Sequence, residues 1–314
     1  METILTVLAS VGPALAVAAL AAGRRAVRGT SLTAAWRWAA GGTAAWAFVW
    51  GGVVTGRLSG GAADVAWYLV AVAMLCPPVA VLGARRPGSR AWNGFVVLPL
   101  LAVLSLPAVT AVVLASSATG ARLGAFRLET PWAAGFGLVL VMGVGNYVGT
   151  RLTPTAVLYA AAAVLLTGPV TDGTGAVFPS AETCREWASL CLGLSAGLAL
   201  GRGLGCASAA SAGDGLDRLW RDFRNLYGVV WTRRVMDRVN ETLAARTLPV
   251  GLEWSGLAWI GPPPEPVEPV MAEARQHAEQ TVGWLLKRFV DPEWIATRLG
   301  RDGGAGAGGE GVTG

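Results

Sequence analysis

The chain has 314 residues, 53% of them hydrophobic and only 14% charged, with a mean hydropathy of +0.50. A soluble globular domain carries roughly 25% charged residues, so a wholly soluble protein is excluded and the long apolar runs put the chain in the membrane class. The formal charge of +5 is a surplus of six in residues 1–201, with 12 Arg against 6 acids, less one in residues 202–314, which hold 13 cations against 14 acids, a balance that argues against nucleic acid as a partner.

Seven apolar runs, each near the roughly 20 residues that cross a bilayer as a helix, follow one another at 3–22, 34–54, 64–83, 92–115, 131–150, 153–170 and 184–201. The first is followed, not preceded, by Arg24, Arg25 and Arg28. That is the reverse of a signal peptide, so it is expected to be retained. In the second, Arg37 sits one turn from the inner end between Trp36 and Trp38. It reads as a snorkelling anchor, with a buried anion site as the alternative. Pro13, Pro77, Pro78, Pro99, Pro107 and Pro154 interrupt several runs and free backbone carbonyls.

The fifth run carries Asn146 and Tyr147, the most polar pair placed well inside a span, which expects interhelical hydrogen bonding or an intramembrane polar site. Gly145 and Gly149 beside them point to a close helix contact. In the seventh, Gly193, Gly197, Gly201 and Gly205 recur every four residues, a flat stripe on which two helix backbones approach. Packing within the bundle is the expected use, and a homodimer seam through the seventh helix is the alternative. The same stretch, GLSAG, matches a nucleophile-elbow pattern around Ser195, but that chemistry needs a strand–turn–helix elbow and a base. The chain has one histidine, His277, which reads as solvated. Its four cysteines (Cys76, Cys184, Cys191, Cys206) form no CxxC, so no metal or cofactor is expected.

Orientation follows from arginine. An outside N-terminus puts Arg24, Arg25, Arg28, Arg85, Arg86, Arg90, Arg151 and Arg202 inside and leaves Arg57, Arg122, Arg127 and Arg185 outside. The six acids of this half, Asp64 among them, then lie outside. The expected fold is a helical polytopic membrane protein: seven transmembrane helices over 1–201, N-out and C-in in the cell (inner) membrane, followed by a small cytoplasmic α+β domain.

Residues 202–215 read as a flexible linker, 216–302 as the cytoplasmic domain and 303–314 as a disordered Gly-rich tail. From Leu216, residues Leu219, Trp220, Phe223, Leu226, Tyr227, Val230 and Trp231 fall on one helical face. Past Trp231 that face turns charged, and Val235, Met236, Val239 and Leu243 make a new one. The helix therefore bends near 228–232 or changes partners along its length. Leu219, Trp220, Phe223, Tyr227 and Val230 are expected to form the domain core; a helix lying on the inner leaflet is the alternative. Residues 248–260 read as one strand or a tight hairpin, 270–290 as an amphipathic helix, and Asp291-Pro292-Glu293 as the start of a short helix that Gly300 ends.

This layout resembles, in topology alone, the input half of bacterial membrane sensors. It implies a non-enzymatic protein that senses or scaffolds, with the bilayer and a cytoplasmic protein as partners. The alternative is a transporter or carrier of a small or lipidic molecule without an intramembrane ionisable site.

Overall fold

The structure, a computed structural model, describes residues 2–117, 124–174, 177–202 and 215–300, with backbone alone for 2–9. Gly205, the inner part of the expected linker and the expected tail lie outside the described residues. The chain divides into two compact units, one of Met1–Arg28 and Leu32–Gly205, the other of Gly29–Ser31 and Cys206–Gly314.

Unit 1 is built of helices: α1 (Glu2–Ala26), α2 (Thr33–Val54), α3 (Gly60–Leu82), α4 (Ser89–Ser117, through a π-helical turn at Asn93–Val97), α5 (Thr130–Gly145), α6 (Thr153–Val170) and α7 (Ala181–Gly201). Each coincides with one of the apolar runs. By length and composition α3, α4 and α6 are able to cross a membrane, and α5 is a shorter apolar helix. Helices α2 and α7 are less apolar for visible reasons. Four tryptophans stand in α2, and α7 opens with Glu182, Arg185 and Glu186.

Helix α3 is the axis of unit 1. It is apolar on every side, and Trp67, Tyr68, Val70, Ala71, Val72 and Leu75 are all within 1% of full burial. A helix buried all round needs neighbours on all sides, and α2, α4, α5 and α6 supply them. Pro77 and Pro78 cannot donate to the carbonyls four residues back, Ala73 and Met74. The Tyr159 hydroxyl of α6 donates to the Met74 carbonyl at 2.8 Å. Gly42 of α2 faces the Ala73 carbonyl, where a Cβ would stand 3.7 Å from the oxygen. Pro78 itself packs on Gly143 of α5, which has no room for a Cβ (2.9 Å from the Pro78 Cβ). At the far end, Trp92 lies flat on Gly83 and donates from Nε1 to the Val79 carbonyl at 3.0 Å.

Helix α5 ends at Gly145, five residues before the expected end of the fifth run. Asn146 and Tyr147 therefore sit in a turn and not at mid-span. Hydroxyls close that turn: Thr150 and Thr153 both donate to the Tyr147 carbonyl (2.7 and 3.0 Å), and the Gly149 amide donates to Thr153 Oγ1 at 3.0 Å. Gly149, at φ +84, is in the left-handed region that ends a helix.

Unit 2 holds α8 (Gly215–Ala244), β1 (Val250–Leu252), β2 (Leu257–Trp259), α9 (Val267–Leu286) and α10 (Pro292–Leu299). The two strands pair antiparallel, Val250 opposite Trp259 and Leu252 opposite Leu257. Helix α8 breaks at Gly228, whose φ of 75° and ψ of −173° are open only to glycine. Before the break Leu216, Leu219, Trp220, Phe223 and Tyr227 are buried; after it Trp231, Thr232, Val235, Met236, Val239 and Leu243 are. Val230, expected in the core, is 36% exposed, because the break turns the second half about its axis. The Gly29–Ser31 segment joins this unit as a strand-like piece, Thr30 opposite Val290.

Candidate functional site

In unit 1, polar groups gather where α3 and α7 begin. Arg185, five residues into α7, forms an ion pair with Asp64, five residues into α3, both side chains being mostly covered (14% and 17% exposed). Sequence reasoning had set both among outer-loop charges. Their only signal was opposite charge in the opening turns of two apolar runs. One turn further along α3, Trp67 meets Trp50 of α2 edge to face, with centroids 6.2 Å apart. Trp50 Nε1 donates to Ser10 Oγ of α1 (3.4 Å) and Trp46 Nε1 to Ser189 Oγ of α7 (3.3 Å). Trp67 Nε1, fully buried, has no acceptor among the described residues.

The glycine stripe of α7 acts at one of its members. A Cβ on Gly193 would stand 2.9 Å from Gly12 Cα, and one on Gly12 2.8 Å from the Ser189 carbonyl. That is where the α1 and α7 backbones meet. Gly197 and Gly201 face open space, so the stripe is not continuous, and Gly145 of α5 likewise meets nothing within 4 Å. Strict four-residue spacing drifts around a 3.6-residue helix, so one face cannot keep every member. Gly12, in an unremarked SVGPA, is the partner that no pattern within α7 could reveal. Ser195 is buried in mid-helix and donates to the Thr155 carbonyl of α6 at 3.0 Å, a packing bond between the two helices. Among the described residues no three His, Cys, Asp or Glu side chains gather as a metal site.

At the other end of α1 and α2, Arg37 is exposed. Trp36 is fixed by a hydrogen bond from Nε1 to the Leu20 carbonyl (2.9 Å), Trp38 by one to Asn93 Oδ1 (2.8 Å), and Arg24 lies over the Trp36 ring at 5.9 Å.

In unit 2 the aromatic face of α8 is the core. Trp220, Phe223 and Tyr227 stack in sequence, and Phe289 stands edge-on to Phe223, Tyr227 and Trp231 with centroids 4.9–5.4 Å away. The Phe289 carbonyl accepts from Tyr227 Oη and from the Ser31 amide, both at 2.7 Å. The Asp291 amide donates to the Gly29 carbonyl at 2.7 Å, and Ser31 Oγ is 3.1 Å from Tyr227 Oη. Gly29 (φ +72) supplies the left-handed turn that admits the segment, and Thr30 is 4% exposed. A separation of about 260 residues hides this pairing from any local pattern.

The charges of the 219–240 stretch serve the same unit. Arg224 donates to the Trp254 carbonyl and lies over the Trp254 ring at 5.1 Å. Asp222 pairs with Arg298 (2.7 Å), which covers Trp294 of α10. Arg233–Asp237 and Arg238–Glu241 are exposed pairs along the helix. His277 lies 3.2 Å from Arg246 Nη1 and 3.7 Å from Glu273. Comparison with protein-family models, with curated proteins and with solved structures gives no match.

Proposed function

We propose that the chain is an integral protein of the cell membrane, with seven helices crossing N-out to C-in, and that it senses or scaffolds through unit 2 on the cytoplasmic side without catalysing a reaction. One observation carries the reading: Gly29–Ser31, covalently flanked by α1 and α2, is hydrogen-bonded into unit 2. A displacement of α1 against α2 reaches the Phe289 carbonyl and the aromatic core through three residues. The same observation bears on topology. Residues 29–31 and 215–300 lie on one side of any membrane, so the helices between them cross an even number of times. Helices α3, α4 and α6 alone would place them on opposite sides, whereas six crossings, α2 to α7, do not.

The carrier reading draws on the Asp64–Arg185 pair and the unmatched Trp67 Nε1. Ser31→Pro removes one amide donor and leaves α1 and α2 intact, so it separates the two. With full-length chain crosslinked in native membranes, the wild type is expected to recover a defined protein partner. The variant, inserted to the same level, is expected to lose it. Equal recovery with both chains sinks the coupling role, and solute flux in proteoliposomes without a partner favours the carrier.

A further inference from the structure

Between residues 3 and 63 the sequence has no acid, yet it has Arg24, Arg25, Arg28 and Arg37 around the end of α1 and the start of α2. All four side chains are exposed, and among the described residues none has an ion-pair partner. They are not loose on the surface. Trp36, tied by Nε1 to the Leu20 carbonyl, holds the Arg24 guanidinium over its ring, and Arg37 follows Trp36 directly. Along α1, Val11, Leu15, Ala18 and Ala22 recur at helical spacing and lead to Arg25. Val11 is 49% and Leu15 37% exposed, on the flank of the face that buries Gly12 and Ala16. From Val11 to Arg25 this stripe rises about 21 Å at 1.5 Å per residue. That exceeds the ~15 Å of hydrocarbon in one leaflet.

We infer that the cationic end of α1 and α2 binds the headgroup of an anionic phospholipid, whose acyl chain lies along the Val11–Ala22 stripe. Guanidinium forks match phosphate oxygens in geometry, and α1 and α2 carry no acid beside these arginines, the Asp291 carboxylate lying against Gly29. A free phosphate would satisfy the arginines but leave the apolar stripe uncovered, so the lipid is the better occupant. The inference rests on the membrane-spanning reading of unit 1.

The test uses the full-length chain in phosphatidylcholine vesicles, with phosphatidylglycerol or phosphatidylcholine spin-labelled near the end of one chain. The quantity read is the relative association of the two lipids with the protein. The wild type is expected to favour phosphatidylglycerol several-fold, less so at high salt. Each arginine removed should lower the preference about fivefold at most, so Arg24→Gln/Arg28→Gln/Arg37→Gln should bring it close to that of phosphatidylcholine. Arg57→Gln, at the far end of α2, should leave it unchanged. A chain that fails to float with the vesicles overturns the membrane reading and this inference together. A floating chain with no preference, or a triple variant with the wild-type preference, overturns this inference alone. Displacement of the labelled lipid by millimolar inorganic phosphate would reassign the site to a soluble anion and overturn the lipid assignment.

Discussion

At the residue scale, two glycines decide more than their neighbours do. Gly228 occupies a backbone conformation that costs other residues about 1–3 kcal/mol, and it is buried, so no relaxation is open to it. Gly228→Ala is expected to lower the stability of unit 2 by that amount, read as faster amide exchange across α8 in the detergent-solubilised chain. Unchanged exchange would mean the bend does not need glycine. Gly193 is fixed by space and not by dihedral angle: its missing Cβ admits Gly12 Cα. Overpacking such a contact costs about 1–3 kcal/mol, so Gly193→Leu should lower the thermal midpoint in detergent, whereas Gly197→Leu, facing open space, should not. Equal effects at the two positions would restore the continuous stripe that the spacing alone predicts. The period of the sequence marked both glycines alike. Only the position of α1 separates them, and α1 carries no matching period.

At the element scale, what was legible followed from local physics. The seven apolar runs became seven helices because each is long, apolar and bounded by Gly, Pro or Arg. The phase reversal in 219–240 marked the break in α8, since a straight helix cannot keep one buried face when its apolar residues change sides. Asp291-Pro292 and Gly300 bound α10 as capping chemistry requires. What stayed hidden depends on contacts distant in the chain: Gly12 against Gly193, Asp64 with Arg185, and Gly29–Ser31 beside Phe289–Asp291. The hairpin shows the division well. Residues 248–260 were readable as one strand or a tight hairpin, but what holds β1 in place is Asn240 of α8. Its amide donates to the Leu252 carbonyl (3.0 Å) and its Oδ1 accepts from the Leu252 amide (2.6 Å). Asn240→Ala removes both bonds, each near 1 kcal/mol net. A loss of about 2 kcal/mol is expected, with exchange of the Leu252 amide accelerated some thirtyfold. Protection of that amide at the wild-type level would show that β2 alone secures the strand.

At the scale of the whole molecule, the number of crossings is the quantity to measure. The proposed evenness between residues 31 and 215 admits, among others, two schemes to compare: six crossings by α2 to α7, or four by α3 to α6 alone. Arginine counting does not separate them, since each puts eight of the twelve arginines that flank the helices on the inner side and four on the outer. Packing does. Gly42 lies against Ala73 and Trp50 against Trp67, so α2 runs antiparallel to α3 along most of its length. At 22 residues it spans about 33 Å, enough for the hydrocarbon core. The proposed scheme has α2 cross beside α3, and with them α7, joined to α3 at Asp64–Arg185 and to α2 at Ser189–Trp46. The schemes differ at three loops. Reporter fusions after Gly56 and Gly120 are expected to signal from outside the cell, and one after Arg86 from the cytoplasm, together with the C-terminus. Four crossings reverse all three loops and leave the C-terminus inside, so a cytoplasmic signal at Gly120 with an exterior one at Arg86 would overturn the seven-helix scheme. A reporter inserted after Arg28 that signals from the side opposite to the C-terminus would overturn evenness itself, and with it the coupling role given to Gly29–Ser31.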